Sequence, residues 1–484
     1  MNYRMIFRML GIILLTLAAI LLLPLAVGLY YRENVTNFII TIGISALAGL
    51  LLYLIKPDST DVYAPEGFAI VALGWLLMSL VGALPFYITG DIPSYMDAFF
   101  ETVSGLSTTG ATILNDVESL SRSCMFWRLF THWLGGMGVL VFIMAVMPLS
   151  GDHSMHLMRA EVPGPIVSKL VPRARKSALI LYGIYVVLTL LEAGFLMGGG
   201  MSFYDAILHA CATAGTGGFS TRQAGIAAFN SLYIEMVVAV FMILFSINFN
   251  LYFLIIMGHA KDALKSEELH VFLIILISAI GLIALTIRSM YSGMGEALRH
   301  AFFNVATIVS TTGFGTVDFN LWPEFAKWIL LVLMLIGGCA GSTAGGLKLS
   351  RVMILVKAAF ADLRQTVHPR SVNIVRLEGQ RVSTETVKVT LSYFVLYFLT
   401  LLLSAILISF DGMGTTTSLT ASLACISNIG PGLDKVGPAG NYAAFSDFSK
   451  LIMSVEMLMG RLEIYPVLML FYPKMWRLRN RRAR

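Results

Sequence analysis

Apolar runs long enough to cross a membrane dominate the chain. A spanning helix needs about 20 apolar residues. Such runs lie near 9–30, 37–55, 67–88, 125–149, 178–199, 231–258, 270–290, 323–357, 387–410 and 447–473, so ten spans are expected. After the first two runs the segments pair up, and a shorter apolar stretch ending in a glycine motif separates the members of each pair. These stretches read DAFFETVSGLSTTGAT (97–112), DAILHACATAGTGGFST (205–221), HAFFNVATIVSTTGFGT (300–316) and TSLTASLACISNIGPGL (417–433). Each predicts a helix of about 10–12 residues, only about half the hydrocarbon thickness. Such a segment enters the membrane, stops midway and returns as extended backbone. Non-helical backbone at that depth is tolerated only where it is buried in protein or lines a watery cavity.

The four stretches align on Gly110, Gly218, Gly313 and Gly430. Thirteen positions earlier stand Asp97, Asp205, His300 and Thr417, and in the first two copies a serine (Ser94, Ser202) lies three residues before the acid. Ser-x-x-Asp ahead of an apolar run is a helix start, the acid being favoured by the helix dipole. The fold class expected is therefore an all-α polytopic membrane protein. Four tandem helix–pore-loop–helix repeats surround one axis behind a two-helix preface. The divisions are 1–60, 61–150, 151–262, 263–358 and 359–484. Packing of glycines between plain helices explains glycines on helices but not the short helix that recurs before each motif.

Composition agrees. Of 484 residues 57% are hydrophobic and 13% charged, against roughly 25% charged in a soluble domain. That excludes a soluble, a disordered or a disulfide-rich secreted chain. Cys124, Cys211, Cys339 and Cys425 form no CxxC pair and read as small apolar residues. The run from Leu10 to Tyr30 exceeds a signal-peptide core of ~7–15 residues and reads as a retained first span. Net charge is +6. Counted on alternate sides of the spans, about 70% of the 34 Lys and Arg fall on one side, which the positive-inside rule makes cytoplasmic, with both termini. Anionic lipid accounts for these charges better than nucleic acid does.

The chemistry suits a monovalent cation. Short helices ending at the loops point their negative dipole ends at the membrane interior. Loop carbonyls replace a hydration shell, and carbonyls facing one axis require backbone angles open to glycine.

These motifs, together with VPGP (162–165), IGGCAGSTAGGLK (336–348) and GRLEIYPV (460–467), resemble the Trk/Ktr/HKT superfamily of potassium transporters, and specifically bacterial Trk-type uptake proteins of the TrkH/TrkG kind. The likeness spans essentially the whole chain. It implies a channel-like subunit for low-affinity potassium uptake across the bacterial inner membrane. Potassium would be held mainly by backbone carbonyls of Thr108, Thr109 and Gly110, of Thr216, Gly217 and Gly218, of Thr311, Thr312 and Gly313, and of Asn428, Ile429 and Gly430. All four filter glycines are present, which implies preference for potassium over sodium. The resemblance further implies a homodimer gated by a cytosolic TrkA-like nucleotide-binding ring. No nucleotide is expected on this chain, because GSTAGGLK (341–348) lacks the Gly-Lys-Ser/Thr ending of a phosphate loop.

The segment 323–357 is too long and too broken for one plain span. Gly337, Gly338, Gly341, Gly345 and Gly346 interrupt it, and it is expected to be the single broken helix, forming a movable intramembrane loop beneath the third filter loop. The usual family motif carries glycine where this chain has Ala344, which stiffens the loop slightly. Arg461 lies inside the last apolar run, and Glu463, two residues on, would not share its helix face. An intramembrane arginine faces a cavity or a partner, and Arg461 is expected to contact carbonyls of the 337–346 loop. His153 and His156 read as a solvated loop rather than a metal pair. Glu192, Glu235 and Asn248 are candidate cavity residues. Asp97 and Asp205 are expected chiefly to cap helices. A potassium symporter coupled to protons or sodium is the alternative, with paired broken helices as its sign. A membrane enzyme would need a motif such as HExxH, which is absent.

Overall fold

The computed structural model describes residues 1–57, 63–138, 174–370 and 374–476. His153, His156, the VPGP stretch and residues 477–484 lie outside them. Helices α1 (Tyr3–Ile20) and α2 (Leu22–Tyr30) form one apolar rod of 28 residues. Asn2 starts it, its side chain accepting from the Met5 N–H. Helix α3 (Thr36–Tyr53) returns along α1. Small residues let the two backbones touch: a Cβ on Gly11 would lie 2.5 Å from Tyr53 N, and Ser45 Oγ donates to Leu14 O at 2.8 Å.

The chain continues as α4 (Ala64–Gly82), α5 (Leu84–Thr89), α6 (Tyr95–Leu106) and α7 (Arg122–Gly136), then α8 (Ala174–Gly198), α9 (Phe203–Ala214), α10 (Leu232–Ser246), α11 (Phe249–Ile256) and α12 (Ala260–Leu264). Next come α13 (Glu267–Ile287), α14 (Met294–Val309), α15 (Glu324–Ile336) and α16 (Leu349–Val367). A small antiparallel hairpin follows, β1 (Arg376–Leu377) on β2 (Gln380–Arg381), with Arg376 opposite Arg381. Last are α17 (Thr384–Ile408), α18 (Thr415–Ile426), α19 (Asp447–Arg461) and α20 (Tyr465–Leu470).

The core sits around the short helices α6, α9, α14 and α18. In α6 every residue from Ala98 to Leu106 is buried, and in α18 every residue from Thr420 to Ile426. The long helices are one-sided. Helix α13 buries Phe272, Leu276, Ala279, Ile283 and Ile287, while Ile274, Ile277 and Leu285 are each more than 60% exposed. An apolar surface of this extent fits hydrocarbon, not water.

Two expectations are corrected. The 323–357 segment was expected to be the single broken helix; of the ten expected spans, the run 125–149 passes beyond the described residues. Six helices among the described residues are long and apolar enough to cross a membrane, or seven if the bent α10–α11 pair counts as one. The apolar run 231–258 bends by 90°. Ile247 is extended and Asn248 caps α11, its side chain accepting from the Asn250 N–H at 3.0 Å. The run 447–473 stops after Arg461. Glu463 and Ile464 take left-handed angles (φ 60° and 64°), and Pro466, which lacks an N–H, restarts the helix in its first turn. The break is therefore not confined to 337–348. Secondly, α14 has 16 residues, not 10–12. It starts at Met294 because Glu-Ala-Leu-Arg (296–299) continues the helix toward its N-terminus, and the Glu296 carboxylate accepts the Ser292 N–H at 3.0 Å.

Candidate functional site

The four glycine motifs share one backbone course. The starts of α6 and α9 are capped as expected: Asp97 N–H donates to Ser94 Oγ (3.3 Å), and Asp205 N–H to Ser202 Oγ (3.0 Å). Helices α14 and α18 begin at Gly293 and Gly414, without side-chain caps. At the other end, each short helix is closed by the same pair of bonds. Thr108 N–H donates to Gly105 O and Thr109 N–H to Ser104 O; the matching pairs are Thr216 to Thr213 with Gly217 to Ala212, Thr311 to Ile308 with Thr312 to Thr307, and Asn428 to Cys425 with Ile429 to Ala424. Thr108, Thr216, Thr311 and Asn428 then take φ between 53° and 58°. Asparagine tolerates this region. For β-branched threonine it costs about 1–3 kcal/mol and survives only where the surroundings impose it.

Two residues later stand Gly110, Gly218, Gly313 and Gly430, all with positive φ. A Cβ on Gly110 would lie 2.0 Å from Gly217 O, on Gly218 2.1 Å from Thr312 O, on Gly313 2.0 Å from Ile429 O, and on Gly430 2.6 Å from Thr109 O. Each loop thus abuts the next, and the fourth abuts the first. All twelve residues expected to meet potassium lie in these loops. The same four glycines line a cavity of about 550 Å³, whose charged lining residues are Glu118, Arg128, Arg222 and Asp318, Arg222 lying 3.7 Å from Glu118.

Residues that sequence reading did not single out hold the loops from behind. Glu101, on α6, accepts from Thr112 Oγ1 (2.9 Å), Ile113 N–H (3.0 Å) and Arg128 Nε (2.7 Å). Arg128 is 2% exposed, donates to Ser220 O at 3.3 Å and lies 3.5 Å over the Phe219 ring. His132 Nδ1 is 2.9 Å from Gly105 O and its Nε2 accepts the Phe219 N–H at 3.3 Å; these partners require the neutral Nδ1–H tautomer. A charge inside an apolar segment is the signal that points to Glu101 and Arg128. His132 has no comparable signal.

The 337–348 segment packs directly beneath the loops. Gly345 N–H donates to Thr311 Oγ1 (2.6 Å), Gly346 N–H to Ser427 O (3.0 Å), and Thr216 Oγ1 to Thr343 O (3.1 Å). Gly337, Gly341 and Gly346 have φ of 69°, 69° and 76°. Gly338 and Gly345 are instead needed for space: a Cβ would lie 2.5 Å from Ala344 Cβ and 2.2 Å from Ser427 O respectively. Ala340 N–H donates to Glu268 at 2.8 Å. Arg461 meets the loop at one carbonyl, Thr343 O (2.8 Å), and reaches the end of α7 through Gly135 O (2.6 Å) and Gly136 O. Glu463 accepts from Arg351. Lys348 is buried, has φ 71° and donates to Ala344 O, a second cation at this level that the sequence reading did not select.

The remaining candidates take structural places. Glu235 forms a two-pronged pair with Arg299, both bonds 2.7 Å. Asn248 caps α11 and lies against Gly341. Glu192 is fully buried in α8. Asp97 bonds Lys450 Nζ at 2.5 Å, and Asp205 accepts from Thr221 Oγ1 at 2.7 Å. Among the described residues no group of three His, Cys, Asp or Glu is placed to hold a metal ion.

Comparison with known proteins bears out the resemblance. The family model TrkH, described as a cation transport protein, matches residues 32–478. The Trk system potassium uptake protein TrkH of Escherichia coli (strain K12) is 35% identical over 99% of this chain and 100% of that one. The Trk system potassium uptake protein TrkG of the same strain is 33% identical over 98% and 99%. The crystal structure of the potassium transporter TrkH from Vibrio parahaemolyticus superposes with a TM-score of 0.89 at 31% identity, covering 99% of this chain and 100% of that one. By sequence along its length and by fold, this chain belongs to the TrkH family of cation transport proteins.

Proposed function

We propose that this chain is the channel-like, ion-conducting subunit of a low-affinity potassium uptake system in the bacterial inner membrane, with both termini cytoplasmic. The observation that carries the reading is the closed succession in which Gly110, Gly218, Gly313 and Gly430 each face a carbonyl of the next loop. We read the loops as a pseudo-fourfold filter built from four pore repeats. Their carbonyls substitute for the hydration shell of potassium. Potassium is the transported ion, in line with the names of the relatives. Loop 337–348 and Arg461 form the gate beneath. A homodimer and a cytosolic TrkA-like ring that moves this gate complete the system, with nucleotide sensing in the ring.

The test is cation flux into liposomes holding the purified protein, with potassium, rubidium, sodium or lithium outside and a series of pH gradients. Potassium and rubidium should enter down their own gradients, indifferent to pH, with sodium and lithium excluded. Coupled symport is the second reading, and the interruptions after Ser246, Ile336 and Arg461 favour it, since discontinuous helices mark coupled transporters. Flux that stops without a proton or sodium gradient would put symport first.

A further inference from the structure

We propose that Tyr442 is a positioning residue for the filter: its hydroxyl fixes the Gly430 carbonyl and thereby sets how well the outer part of the filter discriminates between cations. The inference rests on the reading of the four loops as a potassium filter. Tyr442 lies beyond the fourth loop, between α18 and α19. It is 2% exposed, and its ring packs against Phe100 (5.7 Å between centroids) and Phe445 (5.8 Å). Its N–H donates to Thr112 O at 2.8 Å, just past the first loop. Its hydroxyl donates to Gly430 O at 2.7 Å. One residue therefore spans the junction between the fourth loop and the first.

The chemistry of the fourth loop shows what the hydroxyl does there. A filter carbonyl turns less freely where its peptide plane is held, and a plane can be held by its N–H or by its oxygen. In the second loop the plane after Gly218 is held by its N–H, since Phe219 donates to His132 Nε2. In the fourth loop the next residue is Pro431, which has no N–H to give. Tyr442 holds the same plane from the oxygen side. A carbonyl oxygen accepts two hydrogen bonds, so this anchor leaves a lone pair for an ion. Among the described residues, no hydrogen bond reaches the carbonyls of Gly110, Gly218 or Gly313, and the N–H groups of Ala111 and Phe314 make none either; this plane is pinned in the second loop through its N–H and in the fourth through its oxygen.

Tyr442→Phe removes the hydroxyl and keeps the ring. In liposomes the variant should lose about three- to tenfold in the potassium-over-sodium flux ratio, the range that the net worth of one hydrogen bond spans. The potassium concentration that half-maximally raises its melting temperature should rise by a similar factor, with the melting temperature in sodium alone unchanged. A role in packing alone would lower melting equally in both salts and leave the ratio intact. A folded Y442F protein with the wild-type ratio and wild-type potassium titration overturns the proposal. Gly430→Ala, measured alongside, separates this from the filter reading. If it abolishes selectivity while Y442F does nothing, only the role of Tyr442 fails; if it too leaves selectivity untouched, the filter reading fails first.

Discussion

The four glycine loops and the helix breaks beneath them solve opposite problems. Above, four loops with three different sequences, STTG (twice), GTGG and SNIG, adopt one backbone: a turn off a short helix, a residue near φ 55°, and a glycine against a neighbouring carbonyl. Below, each interruption is made differently. Asn248 caps a bent continuation, five glycines spread over 337–346 open α15 from α16, and left-handed Glu463 and Ile464 end α19 before Pro466 restarts the helix. A shared requirement on main-chain geometry leaves a repeating trace in sequence. A set of unlike mechanical parts does not. On the function proposed above, the upper tier carries what needs equivalence, ion coordination, and the lower tier what needs asymmetry, gating.

The largest expected effect comes from spoiling that equivalence at one position. Gly313→Ala places a methyl group 2.0 Å from Ile429 O on a backbone with φ 84°, so the third or the fourth loop must shift. Potassium flux is expected to fall by about 100-fold or more, as a positional error near 1 Å costs such factors in any preorganised site. Gly183→Ala on the outer face of α8 meets nothing within 4 Å and should leave flux unchanged. Wild-type flux and selectivity from Gly313→Ala would remove the distinction between the tiers.

Next in size is Arg461→Ala. The guanidinium joins three carbonyls from two segments, Thr343 on the loop and Gly135 and Gly136 at the end of α7. Without it the loop keeps its bonds to Thr311, Ser427 and Thr216 but loses its lower tie. Leak through the closed state should increase about tenfold, equivalent to roughly 1.4 kcal/mol, a modest share of what charged hydrogen bonds contribute. The potassium-over-sodium ratio should hold, because the filter carbonyls are untouched. Leak equal to wild type would limit Arg461 to a structural tie.

How much of this was legible in the sequence follows the same division. The short helices and the glycine loops that close them were legible because half-length apolar stretches closing on glycine recur between full-length ones. Arg461 was found because a charge among apolar residues is conspicuous, and its contact with Thr343 followed. Its two bonds to α7 did not, because the distance from residue 135 to residue 461 carries no local pattern. The extra turn of α14 was missed because alignment on Gly313 placed the helix start at His300, while Glu296 and its neighbours are equally good helix formers. The bend at Asn248 was missed because one asparagine barely alters the mean hydropathy of a 28-residue run, although it both ends a helix and caps the next. Tyr442 and His132 were invisible for a different reason: each acts through bonds to main chain, Tyr442 at Gly430 and Thr112 and His132 at Gly105 and Phe219, which leave no pattern in the side chains.

The smallest predicted effect tests the bend itself. Asn248 supplies the α11 cap, and its side chain lies against Gly341, while Phe249 N–H donates to Gly341 O at 3.0 Å. Asn248→Ala removes the cap and leaves the main-chain bond, at an expected cost of about 1 kcal/mol in stability. Asn248→Asp restores an acceptor for the Asn250 N–H and should recover most of that loss. Because the bend holds one side of the 337–348 loop, Asn248→Ala should also raise closed-state leak, but by less than Arg461→Ala, since three main-chain contacts to this loop, Phe249 to Gly341, Cys339 to Ser246 and Thr343 to Phe245, remain. Melting temperature and leak measured on the same preparations decide the matter. If stability falls without any change in leak, the break in this helix serves folding alone, and gating belongs to the glycine loop and Arg461.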